Sequence, residues 1–199
     1  MSSCRACIRP GRAGFTMVEL IMVMVIIGIL GAIAGNRFFD NQVFEARNYA
    51  DQSRGLIRYA QKLAIAQNRP VYVRSTPDGF AVCFDRYAAC ASAADRAQAP
   101  GGTNNGSAAT RAVCINGANN AYVANWACIG RPAAVSIAST AQRAEMAAGG
   151  SFFFDGMGRP YNSGDDASGA SSFTRLSLNI SSGSQVATLN VEAETGYVF

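Results

Sequence analysis

The sequence predicts an α+β chain, with a long N-terminal helix, apolar at its start and amphipathic further on, packed on an antiparallel β head. Three observations predict it. Leu20 to Ala34 is an apolar run without a charge. Arg37 to Asn68 contains no proline and gathers its apolar residues on one helical face. Beyond Pro70, short apolar runs are separated by turn residues.

Residues 1–14 read as a leader. They carry Arg5, Arg9 and Arg12 and no acid, which holds such a segment on the cytoplasmic side. A secretory signal peptide is cut after its apolar stretch. Here Gly14 comes before that stretch, so the apolar segment would stay on the mature protein. Phe15 to Gly35 covers 21 residues, enough to cross a hydrocarbon core at the helical rise, and 15–36 reads as a transmembrane and assembly helix. One carboxylate, Glu19, stands at its head. A charged Asp costs roughly 2.5–3.5 kcal/mol at the centre of a membrane helix, less near its end, and Glu should be similar. Such a group is kept where a cation is meant to meet it.

Gly14-Phe15-Thr16-Met17-Val18-Glu19, followed by a long apolar helix, resembles the class III signal of type IV pilins and type II secretion pseudopilins. The resemblance implies cleavage between Gly14 and Phe15 by a prepilin peptidase and methylation of the new Phe15 amine. It implies that Glu19 pairs with the N-terminal amine of a neighbouring subunit during assembly. A cation and an anion buried together cost far less than either alone. Major pilins commonly have proline where this chain has Asn36, so melting of the helix near Gly35-Asn36 is left open. Gly28, Gly31 and Gly35 weaken the helix locally and suit helix–helix packing.

From 37 to 69 the pattern is amphipathic. Phe39, Ala46, Ala50, Ile57, Ala60 and Ala64 share one side, flanked by Tyr49, Leu56 and Leu63. A basic arc on another side holds Arg47, Arg54, Arg58 and Lys62, with Arg69 at its end. Such a stripe is ordinarily a solvated face or a subunit contact. Nucleic acid is the minority reading, because Asp51 partly neutralises the arc and no aromatics interleave to stack bases.

Residues 70–199 read as a β-rich head. Val71–Arg74 and Phe80–Phe84 flank a proline- and glycine-bearing turn and predict a hairpin. Phe173–Ile180 and Val186–Val191 predict a second, Ser151–Phe154 a further strand, and Gly196–Phe199 a short strand or edge. Residues 85–150 read as a long Ala-, Asn-, Gly- and Ser-rich loop region, a length that is functional or tied down. Cys83, Cys90, Cys114 and Cys128 suit two disulfides in an oxidising compartment. Three connectivities are open, and loop closure favours Cys83–Cys90 with Cys114–Cys128. A four-thiolate zinc site is the minority alternative. Cys4 and Cys7 would be lost with the leader. Trp126 packs under this loop, or else contacts a ligand.

Composition excludes several functions. Without the leader's three arginines, 14 basic residues face 13 acidic ones, so no polyanion-seeking charge remains. Histidine is absent, which removes the commonest general base and metal ligand. No nucleophile stands in a recognisable constellation, so neither an enzyme nor a cofactor or metal is expected.

Leu56 to Val71, Phe154 to Pro160 and the closing Glu-Thr-Gly-Tyr-Val resemble the GspH/FimT-type minor pilins, most of all those of the MSHA pilus. The resemblance implies a minor pilin of a type IV pilus, in its tip or initiation complex, contributing to surface adhesion. Its partners would be other pilins and minor pilins, the prepilin peptidase, the inner-membrane assembly platform and the lipid bilayer. It would sit in the bacterial inner membrane with its head in the periplasm, then in the cell-surface pilus. A minor pseudopilin of a type II secretion system is the alternative. A DNA-binding minor pilin of natural transformation is a further one. Some transformation relatives bind DNA through basic residues near the C-terminus. The last 23 residues here contain Glu192 and Glu194 but no Lys or Arg, so DNA is not expected as a partner.

Overall fold

The computed structural model describes residues 15–38, 41–76, 78–86, 90–139 and 150–199; side chains in the helices are described from Phe15 to Gly31 and from Phe44 onward. The predicted leader, with Gly14, Cys4 and Cys7, lies outside the described residues, as do Phe39 and the side chains around Gly35-Asn36. The chain forms two units, Met1–Asn41 and Gln42–Phe199. The first holds α1 (Met17–Phe38). The second is built on α2 (Asn41–Gln67).

The sequence-predicted apolar side of α2 is its buried side. Ala46, Tyr49, Ala50, Ile57, Ala60 and Ala64 are all at most 2% exposed, and Ser53 joins them. The helix stops before Pro70 because Asn68 takes the left-handed conformation (φ 47°). There the Asn68 amide donates to the Ile65 carbonyl (3.3 Å) and the Arg69 amide to the Ala64 carbonyl (3.2 Å), closing the last turn in a Schellman pattern.

Two antiparallel sheets follow. The first has the order β3-β2-β1-β5-β6, from β1 (Val71–Thr76), β2 (Gly79–Cys83), β3 (Cys128–Gly130), β5 (Gly150–Phe154) and β6 (Pro160–Asn162). The second has the order β4-β7-β8, from β4 (Ser136–Ser139), β7 (Leu176–Ser182) and β8 (Gln185–Val191). The first hairpin forms as predicted, two residues longer on its leading strand and one shorter at Phe84. The second begins at Leu176 rather than Phe173, and Phe173 instead packs its ring 5.5 Å from Phe152. Gly196–Phe199 forms a single bridge, Val191 to Val198, not a strand.

The first sheet is covered on both faces, which explains why its strands read as continuous apolar runs. Val71, Val73, Phe80, Val82, Phe152 and Phe154 join the α2 face and the buried side of β7 and β8 in one core. Tyr72, Ala81, Cys83, Phe153 and Tyr161 point the other way, into a second cluster with Cys90, Cys114, Trp126 and Cys128. Leu176, Leu178 and Ile180 alternate with half-exposed residues because only one face of that strand is buried.

The middle segment is not one loop. It holds α3 (Ala108–Val113), capped by the Ser107 hydroxyl accepting from the Thr110 amide at 3.2 Å, as well as β3 and β4. Two disulfides tie it down, Cys83–Cys90 (Cα–Cα 5.5 Å) and Cys114–Cys128 (5.9 Å), the sequence-nearest pairing.

The late motifs around Phe154–Pro160 and Glu194–Val198 meet at the C-terminal end of α2. The Gln61 side-chain amide donates to the Gly158 and Thr195 carbonyls, each at 2.9 Å. Arg159 pairs with Glu194 at 2.9 Å. The Asp155 carboxylate accepts from the Met157 and Arg159 amides, holding the intervening turn. Gly196 has φ +64°, and a Cβ there would overlap the Gly158 carbonyl oxygen. Gly196→Ala should therefore destabilise the chain by more than ~1 kcal/mol, through strain and the displaced Gly158 loop. Thermal unfolding of the full chain in detergent checks it, and an unchanged midpoint would mean that the two loops part freely.

Candidate assembly site

The sequence places the assembly residues at the start of α1. Thr16 sits just before the helix, and its hydroxyl accepts from the Glu19 amide at 3.3 Å, while the Leu20 amide donates to the Thr16 carbonyl at 3.2 Å. Thr-x-x-Glu thus serves as the helix N-cap pattern. Glu19 lies in the first turn, exposed, where the helix end favours a carboxylate.

Every described side chain from Phe15 to Gly31 is exposed. That includes Val23 at 46% and Met17 at 81%, the extremes among the large apolar residues there. A helix apolar all round is one built to be buried. Among the described residues no helix is long and apolar enough to cross a membrane. The described side chains of α1 end at Gly31, short of the ~20 residues a crossing takes.

The basic arc of α2 does not stay together as a free surface. Arg54 pairs with Asp51 and donates to the Thr188 carbonyl of β8 at 3.1 Å. Arg58 donates to the Val198 carbonyl at 2.8 Å and lies 5.9 Å from the Tyr197 ring. The Arg69 guanidinium sits 3.7 Å from the Phe84 ring centre. Arg47 and Lys62 are exposed. Half of the predicted stripe thus fastens the helix to the C-terminal strand and tail. Sequence reasoning missed this role, and it missed Gln61; an arginine opposite an unpaired strand carbonyl leaves no mark in one-dimensional spacing.

Near the loop region, Trp126 is 2% exposed and its indole nitrogen donates to the Val82 carbonyl at 3.0 Å. Arg96 lies 5.5 Å from its ring and donates to the Cys90 and Ala91 carbonyls and to Asn116. Trp126 packs under the disulfide-tied segment, so it presents no ligand-contact face. Cys83, Asp85 and Cys90 are close enough together to hold a metal ion. The two sulfurs, however, are bonded to each other, and a disulfide is not the thiolate that zinc requires.

Burial pushes the Tyr49 hydroxyl far above the usual phenol range, an effect that Ser53 and Arg131 oppose. Tyr49 therefore stays neutral and structural. Asp166 lies below the usual carboxylate range because the Ser168 amide and hydroxyl donate to it.

Residues 9–35 match the prokaryotic N-terminal methylation motif. In structure the chain is similar to the type IV minor pilin FimU of Pseudomonas aeruginosa (strain PAO1) in two crystal forms. Against the P21 form the identity is 11% over 78% of this chain and 87% of that one, with a TM-score of 0.43. Against the P65 form it is 9% over 77% and 90%, with a TM-score of 0.41. No curated protein matches the chain significantly.

The division of the basic arc can be measured. Arg58→Ala should cost about 1–2 kcal/mol by leaving the Val198 carbonyl without its charged donor. Lys62→Ala and Arg47→Ala should change stability by less than about 0.5 kcal/mol. Equal losses for all three in chemical denaturation would contradict the assignment.

Proposed function

We propose that the chain is a minor pilin, a structural subunit of a type IV pilus. The observation that carries this reading is the methylation motif at residues 9–35, set on a helix whose apolar surface is uncovered on every described side. A prepilin peptidase cuts between Gly14 and Phe15, and the Phe15 amine is methylated. The segment 15–36 holds the protein in the inner membrane and then moves into the fibre core. The bilayer covers its apolar side chains first and neighbouring helices cover them afterwards, so the exposed surface is never left in water.

Glu19 gives this transfer its register. In hydrocarbon a lone carboxylate is costly, and the N-terminal amine of an adjoining subunit is the cation that relieves it. The head, residues 70–199 docked on α2, is carried to the fibre surface. We place the subunit in a pilus of the MSHA kind, at its tip or in its initiating complex, with surface attachment as its contribution. Gene neighbours, and the loss of pili on deletion, separate this reading from a secretion pseudopilin. The DNA-uptake reading is weaker, since Arg54 and Arg58 already hold main-chain carbonyls of the head.

Two substitutions test the assembly reading. Gly14→Ala should still be processed, whereas a bulky residue at Gly14 should leave the leader attached, read by N-terminal sequencing. Glu19→Ala should be processed and inserted yet be lost from purified pili by at least tenfold. Normal incorporation of Glu19→Ala would remove the pairing role.

A further inference from the structure

We propose that the Asn116-Gly117 step is a self-modifying site, at which the Gly117 amide nitrogen closes on the Asn116 side-chain carbonyl carbon and expels ammonia. This goes beyond the pilin reading and does not rest on it, since only the folded head takes part. Two Asn-Gly steps occur in the chain, Asn105-Gly106 and Asn116-Gly117. In both, the glycine has no side chain to crowd the attacking nitrogen. The fold treats them differently. The Asn116 Oδ1 accepts from the Ala118 amide at 3.1 Å and from the Arg96 guanidinium at 3.3 Å. Both partners can only donate, so the atom between them is the oxygen. That oxygen gains negative charge as the ring closes, and a cation beside an amide is an arrangement that stabilises it. Arg96 is fixed there because it also donates to the Cys90 and Ala91 carbonyls, at 2.9 and 2.7 Å.

The nucleophile is free to act. The Asn116 amide donates to the Ala121 carbonyl at 2.8 Å, and the Asn116 carbonyl accepts from the Asn120 amide at 2.7 Å. The next amide, that of Gly117, is exposed in the turn and makes no hydrogen bond among the described residues. Its proton can pass to water without breaking a bond in the protein. At the other step the Gly106 amide is engaged, donating to the Asn104 Oδ1 at 3.1 Å. The Asn105 Oδ1 accepts from the Ser107 amide at 3.2 Å, and its side-chain nitrogen donates to Gln52 at 2.6 Å. Among the described residues no cation meets that carbonyl, so the fold protects Asn105. At Asn116 the Gly117 nitrogen loses its proton and bonds to Cγ, while the side-chain nitrogen takes up a proton and leaves as ammonia. Water then opens the cyclic imide at either carbonyl. One opening gives aspartate, whose carboxylate turns the Arg96 contact into a charge-assisted one. The other gives isoaspartate and lengthens the main chain of the 116–121 turn by a methylene. Either way the head gains a negative charge with age.

The test holds the full chain, folded in detergent, in mildly alkaline buffer and follows both steps by peptide mapping, with isoaspartate read by enzymatic methylation. Asn116 should convert at least tenfold faster than Asn105, and in guanidinium chloride the two rates should come within threefold of each other. Arg96→Gln should slow conversion of Asn116 at least threefold. Asn105 is the folding control in that variant, because an unfolded chain would convert it faster. Gly117→Ala, whose added Cβ meets nothing within 4 Å, should slow Asn116 at least fivefold at an unchanged thermal midpoint. Equal rates at the two steps in the native chain would overturn the proposal. So would a folded Arg96→Gln chain that converts Asn116 at the original rate. Should that variant unfold, the comparison of native with denatured chain decides alone.

Discussion

Both sheets close over one strip of mostly small side chains. Along the buried side of α2, Ala46, Ala50, Ser53, Ala60 and Ala64 are interrupted by two large residues, Tyr49 and Ile57. The bulk that fills the core comes from the strands, as Phe80, Phe152, Phe154, Leu176, Leu178, Ile180 and Leu189. Large residues facing small ones let the layers interdigitate at interior density. The consequence is asymmetric. A larger side chain at Ala50 or Ala60 would have to displace aromatic rings that already pack on one another, as Phe152 does on Phe154 at 5.6 Å. A smaller residue at any one strand position removes volume that the helix cannot supply.

That packing leaves polar edges to satisfy, and the helix satisfies them. β8 is an edge strand of the second sheet. Arg54 covers its Thr188 carbonyl, and the tail pairs with it through the Asn190 and Phe199 main-chain groups. Arg58 then holds the tail by Val198, and Gln61 holds the two loops on either side of Arg159–Glu194. Three consecutive turns of one helix thus close an edge that would otherwise be open to strand pairing. On the far side of the first sheet a different device does the covering. A segment rich in small and polar residues has little apolar surface of its own, so the two disulfides and Trp126 hold it against Tyr72, Phe153 and Tyr161.

What the sequence made legible follows from these differences. Helical periodicity is strong where one face is buried over many turns, so the buried side of α2 was readable residue by residue. Strands buried on both faces were visible as apolar runs, and β7 and β8 as alternation, although Phe173 looked like part of its strand because burial without pairing gives the same letter. β3 and β4 are three and four residues long, too short for any period to register, and α3 is a single capped stretch of six. Their positions depend on partners far off in sequence. Gly130 illustrates this, since a Cβ there would overlap the Ala109 carbonyl, a closeness that only the folded chain creates. The basic arc misled for a related reason. Spacing shows which side of a helix a charge occupies, not whether a strand carbonyl waits there.

Glu19 stands exposed in the first turn of α1, and magnitudes show why a hydrocarbon setting would call for more than its own helix. The helix N-terminus offers a carboxylate roughly 0.3–1 kcal/mol at an exposed site. Thr16 caps the first turn, so one amide that might have served the carboxylate is already engaged. Placing a charged acid inside hydrocarbon costs up to about 2.5–3.5 kcal/mol on insertion scales. The helix end alone therefore offsets only part of the penalty, and a partial charge spread over several amides does not replace a full one. A free amine at Phe15 is the full charge that processing would create, at the same end of the same segment. In a bundle of parallel copies, the amine of one and the carboxylate of another meet only when the helices are offset by about one turn. The demand to neutralise Glu19 would then fix the axial step between subunits, which an apolar helix, greasy on every side, could not specify by itself.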